Sequence, residues 1–228
     1  MRPQIGRRDR KEIFLCYMLK MNLTFAIIKS YPTEATGDDE VGGQDIEALL
    51  ARHCAPTFRG LKAASLVAFP LAQRTALYRF LAASGKELAE NGIAIRRLLQ
   101  APDRILVLFY RPAALARRLN APQAIHILAR YGYPQTPALG PQLSHLSKRL
   151  RREANFPHEI GLFLGYPPWD VDGFISHRGR DFLCCGCWKV YAKERAARAS
   201  FARYQACTAA FCRELRQGVP LTDLLRAV

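Results

Sequence analysis

Acidic residues are scarce in this sequence: 228 residues hold 19 Asp and Glu against 34 Lys and Arg, a formal charge of +15 at pH 7. That balance biases the chain toward nucleic acid or other anions, bound without sequence preference. Long apolar runs are missing too. None approaches the roughly 20 residues a membrane span needs, so no transmembrane segment is expected. There is no P-loop, no glycine fingerprint for a dinucleotide, no His-Glu-x-x-His and no Gly-x-Ser-x-Gly, which removes the enzyme classes most readily read from sequence. The chain shows no internal repeat. Its 7 cysteines are odd in number and too sparse for a secreted disulfide framework, which places the protein in a reducing cytoplasm.

What the sequence does contain is a core. Half of its residues are apolar, enough for a single domain with a buried interior. Residues 30–44 are acidic and Gly-rich, as linkers are, so residues 1–43 read as an N-terminal extension, disordered or upstream of the true start, and residues 44–228 as one globular domain. Residues 73–152 carry 14 Lys and Arg against 3 Asp and Glu, a local excess of +11. The cations there, with Arg96, Arg97, Arg117, Arg118, Arg149, Arg151 and Arg152 foremost, make a candidate face for weak nucleic-acid binding. They form no unbroken basic block and do not alternate with aromatics as in a nucleic-acid motif.

Periodicity supplies the elements. A helix opens near Asp45 and is stopped by Pro56; residues 61–69 and 104–111 read as strands, and residues 93–99 as a third. Helices are expected over residues 73–90, 113–119, 123–132 and 141–154, a further strand over 187–191, and a long helix after it with Phe201, Tyr204, Thr208, Phe211 and Leu215 on one stripe. The sum is an α+β (or α/β) fold, a small mixed sheet of about four strands covered by helices, with a helical corner at residues 156–178.

That corner is the least generic stretch. Pro157 suits a first helical position and Glu159 the third, where its carboxylate would cap the helix. Two short helices about a turn allow a helix-turn-helix, but Asp170 and Asp172 would face phosphate, so a corner packed on the sheet is the better reading. The segments FPHEIG, FLGYP, DVDGFI and GCWKVY, with HCAPTFRGLKAASL at residues 53–66, resemble the signature of a bacterial family of unknown function. The resemblance covers about residues 44–217 and implies one domain and no assigned activity.

Two sites are candidates. On a strand, Cys187, Lys189 and Tyr191 would share a face while Trp188 and Val190 turn to the core. With His158 and Glu159 they make the leading site, and catalysis there has no assigned residue. Cys184, Cys185 and Cys187 have ligand spacing for zinc or iron, with His177 as the nearest imidazole. Cys207 and Cys212, five apart on a helix, would point about 140° from one another. His53 and Cys54 end the first helix, and Lys62 enters the first strand. The function expected on these grounds is that of a cytosolic accessory protein in metal or redox physiology. An enzyme of unrecognised class at the same site, or a weak nucleic-acid binder, is the alternative.

Overall fold

The computed structural model describes residues 46–152 and 156–225. The expected extension, residues 1–43, lies outside them. Strand β1 (Ala64–Pro70), β2 (Ala94–Gln100) and β3 (Arg104–Tyr110) form one sheet in the order β1-β3-β2. Both outer strands run antiparallel to β3, with Ala64 opposite Tyr110 on one side and Ala94 opposite Tyr110 on the other. Every residue of β3 from Ile105 to Phe109 is buried, as a central strand covered on both faces requires. Its alternation divides the interior into two hydrophobic clusters.

Ile105, Val107 and Phe109 meet Val67 and Phe69 of β1 on the first face. Helices α1 (Ile46–Phe58) and α2 (Arg74–Glu90) cover this side. Leu108, Ala64 and Leu98 belong to the second face, covered by α3 (Pro112–Leu119), α4 (Pro122–Ala129), α5 (Leu139–Arg152), α6 (Ile160–Phe163) and α7 (Pro168–Ser176). Leu98 faces that side by alternation with Arg96, which lies opposite Leu108; the ladder slips after Arg97, so that Leu99 pairs with Leu106. A hairpin of β4 (Cys184–Cys185) and β5 (Lys189–Val190) stands apart from the main sheet.

Helix α8 (Glu194–Arg216) joins the two interiors, and α9 (Leu221–Leu225) follows it. At about 1.5 Å per residue its 23 residues run about 35 Å, long enough to place Phe201 in one cluster and Phe211 in the other. The α+β class expected from sequence is the class observed. The strands divide into a fully antiparallel sheet of three and a separate hairpin, because Cys187 and Trp188 lie in the hairpin's turn and leave only Lys189–Val190 to pair.

Pro56 does not stop α1. A proline inside a helix loses its own N–H bond and crowds the carbonyl four residues earlier, but the carbonyl of Pro56 still accepts from the amides of Leu61 (2.8 Å) and Lys62 (3.0 Å). Arg111 closes that end: its guanidinium donates to the carbonyls of Thr57 and Phe58, and to Asn91 in the turn before β2. A cation at a helix C-terminus also complements the helix dipole.

Asp170, in the first turn of α7, is buried and accepts three hydrogen bonds: from Trp188 Nε1 (2.7 Å), the Tyr191 amide (2.8 Å) and the Ala192 amide (3.1 Å). Asp170 does not point outward as the helix-turn-helix alignment placed it; it faces inward with Val171 and Phe174. The hairpin turn itself depends on Gly186. A Cβ there would overlap the Phe201 ring.

Two substitutions test this packing. Asp170→Ala leaves three donors unanswered and should cost about 3 kcal/mol or more, whereas Asp172→Ala, which loses only the exposed pair with Arg130, should cost under about 1 kcal/mol. Gly186→Ala should cost about 1–3 kcal/mol through overpacking. Equal urea midpoints for the two aspartate variants, or a neutral Gly186→Ala, would contradict the arrangement.

Candidate functional site

Of the residues that sequence reading grouped, the structure brings His158 and Lys189 together and places Cys187 at a different cavity. His158 and Lys189 line one narrow cavity of about 10 Å³, room for about one water. The Phe174 ring lies against both, 5.2 Å from the His158 ring and 5.9 Å from Lys189 Nζ. Lys189 donates to the Gly179 carbonyl at 2.6 Å and sits 4.6 Å over Phe182, so it closes the chain end of α7. Tyr191 shares the Lys189 face and stacks on His177 at 5.5 Å. Trp188 and Val190 are buried, as the alternation predicts.

Glu159 is not a cap. Helix α6 starts only at Ile160, after a turn in which the amides of Ile160 and Gly161 bond to Pro157 and His158, and no side-chain cap bond forms. The Glu159 carboxylate instead is fully buried, 2.6 Å from Arg149 Nε and accepting from Tyr133 Oη at 2.9 Å. Arg149 also lies 4.8 Å over the Tyr131 ring. It is therefore withdrawn from the expected nucleic-acid face, while Arg96, Arg97, Arg117, Arg118, Arg151 and Arg152 are exposed.

The cysteines are dispersed. Cys184 is buried, Cys185 is exposed on the opposite face of its strand, and Cys187 is half-buried in the turn. His177 pairs with Asp181 at 3.4 Å. Among the described residues no three His, Cys, Asp or Glu side chains are grouped as a metal site requires.

A larger cavity, about 510 Å³, lies between the two hydrophobic clusters. Arg52, His53 and Pro56 of α1 form one wall, Lys62, Ser65 and Leu66 the sheet side, and Leu164 with Tyr166 the turn after α6. Gly165 makes that turn with φ +77°, a conformation open to glycine. Gly186 and Cys187 come from the hairpin, and Tyr204, Thr208 and Cys212 from the middle of α8. Three of the segments that carry the family resemblance, at residues 53–66, 163–167 and 186–191, thus contribute to one cavity.

Its electrostatics are one-sided. No Asp or Glu of the described residues lines it. Lys62 is half-buried with its ammonium 5.6 Å over the Tyr166 ring, and none of the ion pairs among the described residues involves it. Burial holds the Lys62 pKa below its ordinary value, opposed in part by the thiols of Cys187 and Cys54. Burial raises the Cys187 thiol, with Lys62 pulling the other way, and raises the phenols of Tyr166 and Tyr204. His53 is pushed down to about 4 by burial, helped by the charges of Arg52 and Lys62, so its imidazole is neutral at pH 7. Behind the wall, Thr57 and Ser65 share a 2.8 Å hydrogen bond that satisfies both buried hydroxyls.

Sequence reading had noted His53, Cys54 and Lys62 without joining them to Cys187, and it passed over Tyr166 and Tyr204 as site residues. One signal was present: Tyr204 and Thr208 interrupt the apolar stripe of α8 where that stripe crosses from one cluster to the other.

The fold is an α+β domain with a cavity between two cores that no carboxylate of the described residues lines. The chain belongs to the family described as protein of unknown function (DUF3793), whose sequence model matches residues 50–225. No curated protein and no solved structure matches it.

The depressed His53 pKa sets a pH dependence. The imidazole titrates near 6.5 unfolded but near 4 folded, so its contribution to stability is full above about pH 6.5 and is lost as the pH falls toward 4. His158, also lowered by burial, acts in the same direction. The melting temperature should fall across that window, and His53→Gln should flatten part of the fall. An unchanged slope in the variant would contradict the buried, neutral His53.

Proposed function

We propose that the chain is a small-molecule-binding protein that takes an anionic ligand in the cavity above Lys62. The observation that carries this is a half-buried lysine facing about 510 Å³ of space with no carboxylate among the described lining residues. A buried cation without a counter-charge is costly, and an entering anion supplies one. The volume falls in the range of ordinary ligand pockets. Arg52, exposed at the rim, adds attraction at the entrance. Tyr166, Tyr204 and Thr208 offer hydroxyls that fix a polar ligand's orientation.

A cytoplasmic location fits this reading, since the 6 described cysteines are all free thiols. The metal or redox role expected from the cysteine spacing has thinner support, because Cys184, Cys185 and Cys187 diverge and the Cys187 thiol is held protonated by burial. Weak nucleic-acid binding through the exposed arginines Arg96, Arg97, Arg117, Arg118, Arg151 and Arg152 rests on charge alone, and it should vanish as salt rises.

Thermal-shift measurements with inorganic phosphate, pyrophosphate and short carboxylates test the proposal. At least one should raise the melting temperature of the native chain. Lys62→Met should fold with an equal or higher melting temperature, since it removes an uncompensated charge, and should lose that shift. A Lys62→Met protein that keeps the full shift, or a native chain indifferent to every anion, would overturn the reading.

A further inference from the structure

We propose that Lys62 acts as a nucleophilic amine and condenses with the carbonyl carbon of its ligand, so that the cavity takes a small anionic aldehyde or 2-oxo acid. The inference rests on the anion-binding reading above and adds a covalent step to it. Lys62 stands two residues before β1, where the chain is anchored on both sides: Lys62 N bonds to the Pro56 carbonyl at 3.0 Å, and the Arg111 amide bonds to the Ala63 carbonyl at 2.9 Å. Its amine therefore projects from a fixed backbone into the space between the two cores, as a covalent nucleophile requires.

The other described lysines are differently placed. Lys189 is committed to the Gly179 carbonyl, Lys193 lies 4.1 Å over Trp169, Lys86 pairs with Glu90 at the surface, and Lys148 is exposed on α5. Only an amine that has lost its proton attacks a carbonyl, and desolvation without a carboxylate partner is how proteins favour that form of lysine. Among the described residues Lys62 has both conditions, with burial as the largest influence on it. The neighbouring ionisable groups it feels are the thiols of Cys54 and Cys187, which are themselves held protonated.

The step balances without an oxidant. The Lys62 nitrogen lone pair attacks the carbonyl carbon, the C=O pair moves to oxygen, and that oxygen takes a proton, giving a carbinolamine. The nitrogen then loses a proton, the hydroxyl leaves as water, and a C=N bond forms. Net, one amine and one carbonyl give one imine and one water. The cavity holds groups suited to these proton movements. The phenols of Tyr166 and Tyr204 are protonated donors, and the neutral His53 imidazole can accept and return a proton. The carboxylate of the ligand would face Arg52 at the rim, leaving the adjacent carbonyl to reach inward.

The test is reductive trapping on the full chain at pH 7 with glyoxylate or pyruvate and cyanoborohydride, followed by peptide mapping. Lys62 should label ahead of every other lysine, by about tenfold for each pKa unit separating it from an exposed amine. Lys62→Arg, which has no nucleophilic amine, should lose that label. Label distributed over surface lysines with Lys62 unmodified would overturn the imine step. If anions still raise the melting temperature in that case, the binding reading stands alone; if they do not, both fall. Should Lys62→Arg fail to fold, the map of the native chain decides the matter by itself.

Discussion

Asp170 is the group on which the C-terminal third of the fold depends. A carboxylate taken out of water costs several kcal/mol unless its oxygens are answered, and here three N–H donors answer them. Two of those donors are backbone amides at the start of the segment leading into α8, and the third is the indole of Trp188. One side chain in α7 therefore fixes where the hairpin ends and where the longest helix begins. Trp188, held in this way, stacks on Tyr166 at 5.1 Å and meets Phe201 edge-on at 4.5 Å. Tyr166 in turn carries the Lys62 ammonium over its ring. A continuous chain of contacts runs from a buried charge in one core to the polar cavity between the cores.

That cavity exists because the two hydrophobic clusters do not merge. The sheet separates them, and α8 must cross the gap beyond its β1 edge. Where it crosses, the helix presents Tyr204 and Thr208 instead of large apolar groups. The hairpin turn supplies the facing wall, and Gly186 lets that turn lie directly on Phe201. The site is thus assembled from segments distant in sequence, each positioned by core packing of its own.

Regular elements were legible in the sequence where pattern and length agreed. The strand at Arg104–Tyr110 reads as an unbroken buried run, and the helix at Arg74–Glu90 as an amphipathic one ended by Asn91 and Gly92. The alternation that buries Val190 and frees Lys189 was also legible, since it needs only a strand of period 2. Glu159 was not. Capping is a local rule, and here a tertiary partner, Arg149 ten residues earlier, outweighs it. Pro56 misled for the opposite reason: its local penalty is real but is offset by Arg111, 55 positions later, which ties down the carbonyls of the next turn. The cavity around Lys62 could not be read from spacing, because its walls meet only after the sheet, the corner and α8 have packed.

Lys62 faces this cavity with no carboxylate partner among the described residues. An NMR titration of the lysine side chains, following the Cε and Nζ signals of Lys62 with and without phosphate, tests it most directly. The account predicts that Lys62 titrates below the other lysines and that phosphate moves it upward, as an arriving counter-charge must. A Lys62 that titrates together with the exposed lysines and ignores the anion would contradict it.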